Sequence, residues 1–207
     1  MKIINPKIVS YIEKKVFPLY LQNDSGHQLI HIKYVINRAI KLSSGLNINP
    51  NIIYVAAAYH DLGHHIDRHN HEIISAQLMM QDEKLKSFFD DNQISLIREA
   101  IEDHRASSKK IPRSIYGKII STADRPTSVD DTLFRAHSYS LEHFPDYTYE
   151  QSFERAYIHV LRKFGKDGYA KSYIQDPEYD NYLIEIRELL LDKKAFRNRY
   201  DKVNLNQ

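Results

Sequence analysis

Apolar residues recur three or four positions apart through most of this chain, as at Ile94, Ile97 and Ile101, and only six glycines and seven prolines interrupt the pattern across 207 residues. That period lines one face of a helix. No segment alternates apolar and polar residues between turn signals for long enough to supply several strands, so the expected fold is all-α with little or no sheet. The period and its stop signals predict helices over about 6–21, 25–43, 50–62, 70–81, 93–103 and 114–123, and two more near 150–164 and 177–196. Pro50 suits a first helical turn, Asp24 or Ser25 an N-cap, and Gly45 a stop before Pro50. The stretch 125–149, rich in Asp, Ser, Thr, Tyr and Pro, has no clear period. No repeat, low-complexity tract or flexible linker divides the chain. The expectation is therefore one domain over 1–207, a compact helical bundle with its core at about 24–136 and a C-terminal helical extension at about 149–200 that serves as lid or packing layer.

Lys plus Arg number 29 against 27 for Asp plus Glu, a formal net charge of +2. Such a balance does not suit a chain built to coat nucleic acid or an anionic membrane, and the basic stretches KLKSFF and HRASSKKIPR are too short to change that. With no cysteine, zinc-thiolate sites, disulfides and thiol nucleophiles are excluded, leaving histidine and carboxylate for any metal chemistry. The opening MKIINPKIVSYIEKKVF carries charges and a proline within its apolar run, unlike a signal peptide or a membrane span, so the expected location is the cytoplasm.

Seven of the eleven histidines fall in two windows, 27–31 and 60–71. The segment AAAYHDLGHHIDRHNHE, residues 56–72, closes an apolar helix with five histidines and two aspartates. At a helix end His60 and Asp61 can both turn toward one ion, given partners from elsewhere. Candidates are His31, within a helical pattern opening at Gly26-His27; His104, at the end of IEDH; and Asp124, after IISTA. A His and Asp donor set suits a divalent ion such as manganese, iron, magnesium, nickel or zinc, with positions left for water and substrate.

The order His31, His60-Asp61, Asp124 resembles the HD-domain superfamily of metal-dependent phosphohydrolases, whose signature is a histidine, an HD doublet and a distant aspartate on separate helices. GHQLIHIKYV (26–35) looks like its first-helix motif, HDLGHH like the end of its HD helix, and STADR (121–125) like its last aspartate motif. The resemblance covers roughly residues 24–136. It implies a helical HD-domain fold and a metal held by His31, His60, Asp61 and Asp124. His71 and His104 resemble the histidines that add a second ion in dinuclear members, so one or two ions are expected. His64 stands where many members place a lysine or histidine close to the phosphate, which assigns it phosphate contact or leaving-group protonation beside Asp61, expected to bind metal and orient the attacking water. HDLGH followed by His69 also resembles the deoxynucleotide triphosphohydrolases, whose corresponding histidines act on the phosphate chain, so either His69 or His71 is the site residue.

Arg68, Arg105 and Arg125 lie within a few residues of proposed ligands, where a guanidinium could bind phosphate oxygens; Arg125, directly after Asp124, is preferred. Arg135 and Tyr139, Tyr147 and Tyr149 are weaker candidates for a substrate-side surface or a stacked base. The expected function is hydrolysis of a phosphomonoester, phosphodiester or nucleotide phosphate bond in a small molecule. The alternatives are a deoxynucleotide triphosphohydrolase, though HIDRH (65–69) replaces that family's PFGH wording, and a non-catalytic metal-binding module that senses a nucleotide. Assembly as a homodimer is left open.

Overall fold

The computed structural model describes residues 3–205, which hold ten α-helices and no strand. They fall into two compact units: one runs to Asp124 and includes Ser172–Ile174, and the other comprises Arg125–Lys171 and the chain from Gln175. The stretch 125–136, placed in the core by the sequence, therefore packs with the second unit.

The first unit is built around one apolar helix. Its helices are α1 (Pro6–Lys15), α2 (Leu29–Leu42), α3 (Pro50–Tyr59), α4 (His71–Gln81), α5 (Asp91–Glu102) and α6 (Ile115–Ala123). α3 is buried on every side from Ile52 to Tyr59 and touches all five of the others. Its start is set by Pro50 in the first turn and by Asn49, whose side chain accepts from the Asn51 N–H at 3.0 Å. Ala56, Ala57 and Ala58 carry little more than a backbone, so neighbours can approach closely where the helix ends. Around α3, α2 buries Ile32, Val35, Ile36 and Ala39, and α5 buries Ile94, Ile97, Ala100 and Ile101, the stripes their periods predict. Each fully buried isoleucine contributes about 1.5–3 kcal/mol.

Element ends depart from the sequence reading for local reasons. The helix expected over 6–21 stops at Lys15, and Phe17–Gln22 continues as a 3-10 turn, because Pro18 offers no N–H and disfavours the α conformation before it. The helix expected from residue 25 begins at Leu29 with Gln28 as N-cap, and Asp24 stands instead at the N-cap of a 3-10 turn, Ser25–His27, without a side-chain cap hydrogen bond.

The second unit contains α7 (Val129–His143), α8 (Tyr149–Phe164), α9 (Pro177–Leu191) and α10 (Lys193–Leu205). α7 occupies the stretch without a clear period. It buries Val129, Leu133, Ala136 and Ser140, a helical stripe hidden by its polar composition, and starts where Ser128 accepts from the Asp131 N–H. The helix expected over 177–196 is two helices. Asp192 between them is extended (φ −125°, ψ 103°), and its Oδ1 accepts from the N–H groups of Lys194 and Ala195 at 2.8 and 3.2 Å. Phe153, Phe196 and Tyr200 pack their rings together under α8 and α10. No helix among the described residues is long and apolar enough to cross a membrane.

Because the break at Asp192 rests on those caps, Asp192→Ala should destabilise the protein by about 1 kcal/mol in denaturant unfolding. An unchanged midpoint would show that the break is set by packing alone.

Candidate metal centre

The first unit brings four helix ends and one early helix turn to a single point. His60 and Asp61 follow α3, His71 opens α4, His104 follows α5, Asp124 caps α6, and His31 is the third residue of α2. Three of these are helix C-termini, whose unsatisfied carbonyls carry partial negative charge and favour a cation.

The same carbonyls orient the rings. His60 Nδ1 donates to the Ala57 carbonyl at 2.8 Å, His71 Nδ1 to that of Arg68 at 2.9 Å and His104 Nδ1 to that of Ile101 at 2.6 Å, each reaching back three residues. With the ring proton held on Nδ1, each imidazole turns the lone pair of Nε2 inward.

Asp61 lies at the centre. Its Oδ2 is 3.4 Å from His31 Nε2 and 3.2 Å from His60 Nε2, while Oδ1 is 3.4 Å from His71 Nε2 and 3.3 Å from His104 Nε2. Asp124 Oδ1 closes the first set, 3.2 Å from His31 Nε2 and 3.9 Å from His60 Nε2. Donors about 2.1 Å from a common ion and 90–110° apart are about 3.0–3.4 Å from each other, so these separations suit shared coordination. The donor atoms of His31, His60, Asp61 and Asp124 all lie within 4.8 Å of one another, as do those of Asp61, His71 and His104.

Two observations test whether a metal fits. His31 Nε2 and His60 Nε2 are buried and have no hydrogen-bond partner, a costly state for a nitrogen that a bound cation would relieve. His71 Nε2 and His104 Nε2 face each other at 3.1 Å with both ring protons engaged at Nδ1, lone pair against lone pair, which a cation between them stabilises. Burial works against charge on Asp61, yet the charge of His60 and the neighbouring His104 and His31 rings hold it well below the usual carboxylate range. Burial likewise opposes charge on His60, but Asp61 and Asp124 push it up to about 9, so without an ion the ring can take a second proton on Nε2, where a bound cation would replace it. The cluster could hold divalent metal.

The turn carrying the HD doublet is fastened on two sides. The Gly63 N–H donates to Ser75 Oγ on α4 at 2.9 Å, an approach so close that a Cβ on Gly63 would meet Ile74 Cγ2 at 2.6 Å. Opposite, buried Asn23 donates from Nδ2 to the Asp61 carbonyl at 2.9 Å and accepts the His65 N–H at 3.1 Å. A cavity of about 370 Å³ behind this turn, lined by Tyr11, Leu19, Tyr59, Leu62 and His65, contains none of the proposed ligands.

The other expected site residues fall in different places. His64 is buried, its ring 5.3 Å from that of His71, and burial together with His27 pushes it down to about 3, leaving a neutral imidazole. Of the two histidines left open by the sequence, His71 reaches the cluster and His69 is exposed on the turn, its N–H on Asp67 Oδ1. Arg68 is exposed, and Arg105 joins the Glu72 carboxylate to the His69 carbonyl. Arg125 is buried in the second unit, with Nε donating to the Lys171 carbonyl at 3.2 Å, and Arg135 is exposed on α7. Of the tyrosines, Tyr149 binds Asp201 within the second unit. Sequence reasoning passed over Asn23, and treated Asp24 only as a cap and His27 only as part of a motif; the signal available was the one-turn spacing of His27 and His31.

The family model for the HD domain matches residues 29–127, a little under half of the chain. A solved structure described as a predicted HD superfamily hydrolase, from an uncultured Thermotogales bacterium, is similar over 76% of this chain and 87% of its own, with 21% identity and a TM-score of 0.47. The search of curated proteins found no match. Residues 29–127, which contain all six proposed ligands, match the HD-domain family model.

Proposed function

We propose that this protein is a metal-dependent phosphohydrolase acting on a small phosphate ester or nucleotide, with two divalent ions held on either side of Asp61. The observation that carries the reading is the position of Asp61, each of whose carboxylate oxygens faces a separate pair of imidazole nitrogens. In this reading His31, His60, Asp61 and Asp124 hold one ion, and Asp61, His71 and His104 the other. At the coarser level, the match of residues 29–127 to the HD-domain family model supports a metal-dependent hydrolase.

Divalent ions bound there would supply a lowered pKa for coordinated water and Lewis-acid pull on phosphoryl oxygens. The chain's own contribution is placement. Asp61, ionised and fixed between four imidazoles, orients a water that approaches the phosphorus from the ligand side. The Nδ1 bonds to helix-end carbonyls keep the imidazoles from turning as charge develops, so little reorganisation accompanies the reaction. Neutral, buried His64 lies beside His71 and hydrogen-bonds a phosphoryl or leaving-group oxygen.

Elemental analysis after metal loading should find two equivalents in the wild type, one in His31→Ala and in His71→Ala, and near zero in Asp61→Ala. Absence of bound metal in the wild type would contradict the reading. With manganese, nickel, cobalt or magnesium, a panel of phosphomonoesters, phosphodiesters and nucleotides should yield phosphate or nucleotide, and Asp61→Ala should abolish the release; a metal-replete protein that turns over none of them would be a binding module instead.

A further inference from the structure

One group of side chains beside the metal centre has no part in holding the ions. Asp24 and His27 precede α2 and lie before the start of the HD-family match at residue 29. His27 Nδ1 is 2.5 Å from Asp24 Oδ1, and His64 Nδ1 is 3.6 Å from Asp24 Oδ2, so one carboxylate faces the same nitrogen of both rings. The rings are stacked, with centroids 3.8 Å apart and planes 18° apart.

The group contains one carboxylate and two imidazoles, yet its shape is wrong for an ion. A metal lies in the plane of each ring it binds, and two parallel stacked rings share no such point. The 2.5 Å contact is also shorter than the separation of about 3 Å between two donors on one ion, as suits a direct hydrogen bond between His27 and Asp24. Asp24 therefore positions the two rings, leaving their Nε2 edges directed away from it.

The two rings border the metal centre. The His27 ring lies 5.8 Å from that of His31, in the first ligand set, and the His64 ring 5.3 Å from that of His71, in the second. The His27 side chain is 23% exposed, against 8% for His31 and 2% for His104, so it stands nearest to solvent. The segment is also locked in place: Asn23, which holds the Asp61 carbonyl, donates from the same Nδ2 to the His27 carbonyl at 3.1 Å.

We propose that His27, positioned by Asp24 and stacked on His64, is a substrate-contacting residue whose Nε2 shares a hydrogen bond with a phosphoryl oxygen not taken by the ions. This rests on the metal-centred reading above. The second ionisation of a phosphate ester lies near pH 6, so the hydrogen in that bond can come from either partner. The substrate class this implies is a terminal phosphoryl group, a phosphomonoester or nucleotide, whose free oxygens reach past the ions; a phosphodiester has one oxygen fewer to offer.

The test uses the metal-loaded protein and inorganic phosphate, titrated by calorimetry, with metal content and thermal midpoint measured on the same samples. His27→Ala should keep both metal equivalents and the midpoint while weakening phosphate binding about tenfold or more, the loss expected of a charge-assisted hydrogen bond. Asp24→Asn should weaken it in the same direction, and the double variant no more than His27→Ala, since Asp24 acts through His27. His27→Gln, which keeps a donor, should recover part of the affinity. In turnover, His27→Ala should raise KM or lower kcat for monoesters more than for diesters. Unchanged phosphate affinity in His27→Ala with full metal would overturn the proposal and leave the metal-centred reading intact, as would a third metal equivalent lost in Asp24→Asn. A wild type without metal would instead overturn the reading on which it rests.

Discussion

The buried Asp61 carboxylate sets the problem that the rest of the first unit solves. A charge removed from water costs several kcal/mol unless it is met by compensating charge and hydrogen bonds. Here four imidazole nitrogens surround it, two on each oxygen. The ionised state of the carboxylate, the donor sets on its two sides and the buried unpartnered nitrogens of His31 and His60 are aspects of one arrangement.

That arrangement is affordable because helix ends supply both ligands and their supports. α3 runs through the core as an uninterrupted apolar helix and changes character at its last turn, where the fold needs polar groups. Its alanines let neighbours close in, its terminal carbonyls take the His60 ring proton and the Tyr20 hydroxyl, and the next residue is Asp61. α5 repeats the device with His104 on the Ile101 carbonyl, and α6 ends at Asp124. A helix with orphan carbonyls is thereby both satisfied and turned toward a cation.

Much of this could be read from the chain. The stripes of α2 and α5 and the buried run of α3 follow from periodicity, and helix-end position together with motif resemblance singles out the six proposed ligands. What sequence could not give was direction. His69 and His71 are two residues apart and equally polar, and only the start of α4 decides which of them faces Asp61. Arg125 looks available beside Asp124, but the chain turns there into the second unit and its side chain is buried. Asp24 reads as a cap by residue type, whereas a histidine three positions on takes its carboxylate instead. α7 and the break at Asp192 were obscured because polar composition and one extended residue leave little trace in hydrophobic periodicity.

In the proposed reading Asp61 would stand between two divalent ions. Anomalous diffraction from crystals grown with manganese tests it most directly. Two peaks about 3.5–4 Å apart, one against His31, His60 and Asp124 and the other against His71 and His104, with Asp61 between them, are the predicted result; a single peak, or peaks away from Asp61, would contradict the account.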